Sequence, residues 1–220
     1  GQRIDLLGVE KEDLPAVWAD LGKAGFISGH AYAKGLRTVK TCVGSDWCRF
    51  GTQDSTGLGI RIEKFMWGSW TPAKLKMAVS GCPRNCAEAT CKDIGVICVE
   101  SGYDIHFAGA AGLDIKGTEL LGHVATEDEA IEAIAALAQL YREQGRYLER
   151  IYKWARRVGI ETIRQQVMAD SERRRALYAR FVFSQQFAQV DPWGERARGK
   201  DAREFAPVAP LALHQAAQRA

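Results

Sequence analysis

The chain has 220 residues, of which 46% are hydrophobic and 26% charged, with a formal net charge of +3. This composition supports a folded protein with a substantial core and excludes wholesale disorder. The weak charge, without any dense Lys/Arg block, argues against nucleic acid, and no apolar run reaches the roughly 18 residues a bilayer span needs.

Residues 1–29 open with the apolar stretch Ile4-Asp5-Leu6-Leu7, read as a strand. Leu14, Val17, Trp18 and Leu21 then recur at helical spacing, and Gly22 and Gly25 follow as stop signals. The first residue is Gly1 rather than Met, which suggests a piece whose upstream part is missing. Six cysteines without a secretory signal favour a reducing compartment, so the expected location is cytoplasmic.

Residues 36–41 read as a strand leading into Cys42. Leu58, Ile62 and Phe65 mark one face of a helix, weakened by Gly57 and Gly59. Residues 73–79 alternate, with Leu75, Met77 and Val79 on one face and Lys74, Lys76 and Ala78 on the other. Cys82-Pro83 reads as a turn into a helix, because proline suits the first helical position. Residues 94–99 and 103–108 predict a hairpin turning at Ser101-Gly102, and 119–125 is a short apolar stretch.

Thr126 and Glu129 make a capping box for a long helix carrying Ile131, Ile134, Ala138 and Tyr141. Further helices are expected over 147–158, 160–168 and 171–189, the last capped by Ser171. The tail from Val190 carries Pro192, Pro207 and Pro210 and is expected to wrap a neighbour or remain disordered. No internal repeat is visible.

The chemistry lies in two cysteine pairs, Cys42-x5-Cys48 and Cys82-x3-Cys86. Four thiolates from two loops can grip an iron–sulfur cluster. Structural zinc is the competing reading, although its pairs usually have two to four residues between ligands. Buried thiols without a ligand are the third. Lys74 and Lys76 come just before Cys82 in sequence, so the ligand set is expected to sit beside two cations able to hold an anion.

The pattern Cys-x5-Cys … Cys-x3-Cys, with Gly81 before the second pair and Pro83 inside it, resembles the sirohaem-containing sulfite and nitrite reductases. Two strings, Thr-Cys-Val-Gly-Ser-Asp-Trp-Cys-Arg-Phe-Gly-Thr-Gln-Asp and Ser-Gly-Cys-Pro-Arg-Asn-Cys-Ala-Glu-Ala-Thr, are most similar to its NAD(P)H-dependent nitrite-reducing branch. The likeness extends over about residues 1–195, including Val-Asp-Pro-Trp at 190–193.

The resemblance implies an α+β fold. Residues 1–29 would be the end of a ferredoxin-like half-domain, 30–170 a sirohaem/[4Fe-4S] domain, and 171–220 a helical extension with a proline-containing tail. It implies Cys42, Cys48, Cys82 and Cys86 as ligands of a [4Fe-4S] cluster, with Cys86 also the axial ligand of the sirohaem iron. Lys74, Lys76 and Arg37 would contact the anion and the sirohaem carboxylates, with Arg3 a weaker candidate. Trp47 and Trp67 could flank the macrocycle.

Cys91 and Cys98 fall outside the ligand pattern and are expected to pack in the core. Structural roles are expected for His106 and His123. The implied activity is six-electron reduction of nitrite to ammonium in nitrate assimilation. The alternatives are an assimilatory sulfite reductase and a structural zinc or interaction module.

No Gly-x-Gly-x-x-Gly follows a strand and no Cys-x-x-Cys occurs, so FAD and NAD(P)H are implied only for a part upstream. Relatives with two repeats carry the cysteines in one and the lysines in the other. A single copy holding both predicts a homodimer with shared sites, and a small nitrite reductase subunit is a possible further partner.

Overall fold

The computed structural model describes residues 5–27 and 34–199. These fall into two compact units, one spanning 34–190 and the other 5–27 with 191–199.

In the smaller unit, helix α1 (Leu14–Lys23) follows a single 3-10 turn at Lys11–Asp13. The stretch read as a strand begins at Ile4, outside the described residues, and Asp5, Leu6 and Leu7 are exposed without strand pairing. Trp18 of α1 stacks on Trp193, with ring centroids 5.6 Å apart and planes 13° from parallel. Arg3 and the prolines at 207 and 210 also lie outside the described residues.

The larger unit is built on five strands. They are β1 (Leu36–Thr41), β2 (Leu75–Ser80), β3 (Ile94–Val99), β4 (Gly102–Phe107) and, after the two-residue strands β5 (Ala110–Ala111) and β6 (Ile115–Lys116), β7 (Glu119–Val124). The sheet order is β1-β2-β3-β4-β7. The first three strands run parallel and the last two pairings are antiparallel.

Between β1 and β2 come the short α2 (Gly44–Trp47) and α3 (Ser55–Met66), the latter capped by the Asp54 side chain, which accepts the Gly57 N–H at 2.8 Å. The hairpin of β3 and β4 turns at Glu100-Ser101, one residue before the expected Ser101-Gly102, because Gly102 already pairs with Val99.

Helix α4 (Glu127–Gln144) opens on the expected capping box of Thr126 and Glu129. Its alanines at 130, 133, 135, 136 and 138 are buried, and their small side chains let it pack closely on both β4 and α7 (Ser171–Ala188). Helices α5 (Ile151–Val158) and α6 (Ile160–Arg164) meet at Gly159, and a π-helical turn at Gln165–Ala169 leads into α7. Asp170, not Ser171, caps α7, because its carboxylate accepts the Arg173 N–H at 2.8 Å. The tail expected to be irregular contains α8 (Pro192–Ala197).

Leu75, Met77 and Val79 are fully buried beneath α3 and α4, while Lys76 is exposed and Ala78 buried on the other face. That second face is covered by residues 81–93, the crossover from β2 to β3. Here the expected helix after Pro83 is absent. The segment is a chain of turns ending in a 3-10 turn at Ala89–Cys91, because Asn85 and Glu88 take left-handed conformations (φ 57° and 60°) that break helical propagation. Ala87 and Ala89 pack there with Ala78 and Ile97.

Candidate functional site

Cys42 continues β1 by one residue, its N–H donating to the Val79 carbonyl at 3.3 Å. The chain then makes the α2 turn, in which the Cys48 N–H donates to Gly44 O, and folds back toward Gly81. The Gly81 carbonyl accepts from the Thr52 N–H (2.7 Å), the Thr52 hydroxyl (2.9 Å) and the Gln53 N–H (3.3 Å). These bonds seat the first cysteine loop against the start of the second. Gly44 (φ +63°) and Gly81 make the contact possible, since a Cβ on Gly81 would stand 2.8 Å from the Gly44 Cα.

The Gly81 N–H donates to the Cys42 sulfur at 3.1 Å. The Ser55 hydroxyl lies 3.3 Å from the same sulfur and 3.0 Å from the Cys42 carbonyl oxygen, and its single proton can serve one at a time. Burial pushes the Cys42 thiol up, but Ser55 and the N–H groups of Gly81, Gly44 and Cys42 itself outweigh burial and hold it below its ordinary value.

Cys82, the next residue after Gly81, is buried, Cys48 is half-buried and Cys86 exposed. A cation–π stack joins the loops: the Arg84 guanidinium lies 3.7 Å and that of Arg49 4.5 Å from the Phe50 ring centre. Asn85 braces the second loop, accepting the Ala89 N–H at 2.7 Å and donating to the Thr90 hydroxyl at 2.6 Å.

The donor set fits an iron–sulfur cluster. Four cysteines come from two loops at the carboxyl ends of β1 and β2, and one sulfur already receives an N–H bond of the kind that tunes such clusters. Among the described residues, no group of three His, Cys, Asp or Glu converges on a single ion position. Cys98 is buried as expected, and burial pushes its thiol up to about 12.

Lys74 and Lys76 are not beside this quartet. They lie at the start of β2 and Cys82 lies past its end. The four steps from Lys76 to Ser80 alone span about 13 Å of strand. The lysines line a cleft of about 330 Å³ together with Lys92, Arg150 and Lys153. Arg37 does not line the cleft; it falls where the β1–β2 register slips between Leu36 and Thr38, and its charge acts on Lys76. Burial first, then repulsion from Lys74, Arg37 and Arg150, lowers the Lys76 ammonium below its ordinary value.

The same cleft contains residues that sequence reading missed. Asp93 is fully buried and takes a forked bond from Arg150, and Tyr152 donates to Asp114. Cys91, expected in the core, is instead half-buried on the cleft wall, with Lys92 Nζ 3.5 Å from its sulfur. The crossover turns at Glu88 and carries Cys91 outward. His106 and His123 sit on strands, bonded to Thr118 (3.3 Å) and Asp104 (2.8 Å). Trp47 is exposed and Trp67 half-buried at the end of α3. Among the described residues no helix is long and apolar enough to cross a membrane.

Residues 32–175 match the nitrite and sulphite reductase 4Fe-4S domain. The chain is 50% identical to the Bacillus subtilis nitrite reductase [NAD(P)H] over 88% of its own length, but spans only 23% of that protein. It is 34% identical to an assimilatory-type sulfite reductase of Nitratidesulfovibrio vulgaris, over 76% of each chain. Its fold matches the crystal structure of dissimilatory sulfite reductase I with a TM-score of 0.65 at 15% identity, over 73% of this chain and 58% of that one. The α+β architecture expected from the sequence is the one found.

Proposed function

The chain belongs to the nitrite and sulphite reductase 4Fe-4S domain family, and from that we propose that it is the nitrite-reducing part of an NAD(P)H nitrite reductase. Nitrite would take up six electrons and eight protons to give ammonium and two waters. The observation that carries this reading is the pairing of the two cysteine loops at one end of β1 and β2, with a Gly81 N–H on the Cys42 sulfur.

Cys42, Cys48, Cys82 and Cys86 hold a [4Fe-4S] cluster in this reading, and Cys86, the exposed one, ligates sirohaem iron as well. Sirohaem, when bound, supplies the iron that holds a small anion and passes electrons to it. Arg37, Lys74 and Lys76 neutralise the anion and the macrocycle's carboxylates. Lys76, its proton loosened by burial and by the neighbouring cations, is the group best placed to donate that proton to a nitrite oxygen. FAD and NAD(P)H are assigned to other parts of the longer polypeptide, and a small nitrite reductase subunit to the assembly.

The separation along β2 favours a homodimer. A centre that draws on both Cys86 and Lys76 takes them from two chains, since within one chain they sit at opposite ends of a strand. Mixing a Lys76→Met chain with a Cys86→Ser chain tests this: recovered reductase activity in the hybrid supports it, and none refutes it.

Anaerobic reconstitution tests the main reading. The expected result is iron and acid-labile sulfide in near-equal amounts, a chlorin-like absorption band, and faster turnover of nitrite than of sulfite with an artificial reductant. A colourless protein overturns the reading. Preference for sulfite favours the second one, which the similarly sized Nitratidesulfovibrio relative supports.

A further inference from the structure

Asp93 stands immediately before β3 with no solvent exposure. Its backbone N–H donates to the Lys76 carbonyl at 3.0 Å, and its carboxylate accepts the Lys76 N–H at 2.8 Å. The peptide on either side of Lys76 is thus gripped by one residue. The same carboxylate receives Arg150 through Nε at 3.2 Å and through Nη2 at 2.6 and 2.8 Å. Lys76 and Arg150 both line the cleft. A buried carboxylate must be paired, and a planar guanidinium fork fixes orientation as well as charge.

We infer that Asp93 is a positioning residue for anion binding: it holds Lys76 through the backbone and Arg150 through the guanidinium, making Arg150 a further cation that serves the anion. This rests on the reading that Lys76 faces the anion. Two neighbours brace the same grip. Tyr141 accepts the Ala73 N–H at 3.1 Å and donates to the Glu149 carbonyl, and the Leu148 N–H donates to Pro72 O at 2.9 Å. The loop carrying Arg150 is therefore tied to the entry of β2 at the two residues that precede Lys74.

The test is a double-mutant cycle in the full-length, cofactor-loaded reductase. Asp93→Asn is expected to raise the KM for nitrite roughly tenfold, equivalent to about 1.4 kcal/mol, with kcat within about twofold. Because Asp93 acts through Lys76 as well as Arg150, the double variant with Lys76→Met is expected to have a KM below the product of the two single effects. Multiplying effects, or a lowered melting temperature with unchanged KM, overturn the inference. A Lys76→Met variant with unchanged KM would show instead that the lysine reading has failed, and the inference falls with it.

Arg150→Lys, at a partly exposed position, covers the case in which Asp93→Asn fails to fold. It keeps the charge but loses the fork, and the same KM rise is expected; none overturns the inference. Amide exchange at Lys76 in the cofactor-free protein reads the grip without turnover. Asp93→Asn should quicken it, and unchanged exchange also counts against the inference.

Discussion

Gly81 donates its N–H to the Cys42 sulfur at 3.1 Å, although the two residues are separated by α3 and the whole of β2. The contact exists because β1 and β2 run parallel, so that both cysteine loops leave the sheet at the same edge. It also makes Gly81 a position at which added volume would push the two loops apart.

Gly81→Ala puts a methyl 2.8 Å from the Gly44 Cα and 3.1 Å from the Gln53 carbonyl oxygen. Both neighbours are backbone and cannot swing aside. The expected cost is about 1–3 kcal/mol of stability, with the cysteine loops forced apart. Iron and sulfide content after anaerobic reconstitution should fall severalfold, and a full complement would contradict the proposed loop contact.

Replacing Cys42, Cys48, Cys82 or Cys86 by Ser should each remove most of the cluster iron. Cys98→Ala should retain it, since that thiol is buried, raised to about 12, and therefore neutral and unreactive at physiological pH. Alkylation of the native apoprotein followed by peptide mapping is expected to label Cys86 and spare Cys98. Rapid labelling of Cys98 would mean that this part of the sheet opens.

Phe50 links the loops through Arg49 and Arg84. Phe50→Leu keeps an apolar side chain but removes the ring face, a loss of about 0.5–2 kcal/mol for the stacked guanidinium groups. Faster cluster loss under air, followed by the decay of visible absorbance, is the expected outcome, with the melting temperature of the apoprotein lowered by a few degrees. An unchanged decay rate would leave the stack without a role in retention.

Glu149 is held down to about 2, first by the hydrogen bonds from Arg157, which outweigh the opposing effect of burial, and then by the Arg146 N–H. A carboxyl lowered by folding stabilises the folded state above its unfolded value. That contribution is lost as pH falls from the ordinary carboxylate range toward about 2. Glu149→Gln should therefore flatten the acid limb of stability between about pH 4.5 and 2, as read from urea midpoints. Parallel acid limbs in the two proteins would contradict the assignment.

The regular elements were legible because their signals are local. Alternation marked β2, and Thr126 with Glu129 marked the start of α4. The crossover 81–93 was misread because Pro83 suits a turn as well as a first helical position. What decides between them is the left-handed backbone at Asn85 and Glu88, of which only Asn85 has a side chain that advertises it. The cysteine quartet was legible as a pattern of spacings. The separation of Lys76 from Cys82 was within reach, since six residues of extended chain cannot keep two side chains adjacent. Asp93 with Arg150 was not, because they stand 57 positions apart and neither carries a local signal of the other.

The Glu63 carboxylate of α3 accepts the Val39 N–H at 2.6 Å, and Val39 belongs to the outermost strand of the five-stranded sheet. The sheet's exposed rim is thereby plugged by a side chain from its own covering helix. A foreign strand seeking to extend the ladder at Val39 would first have to evict a half-buried acid.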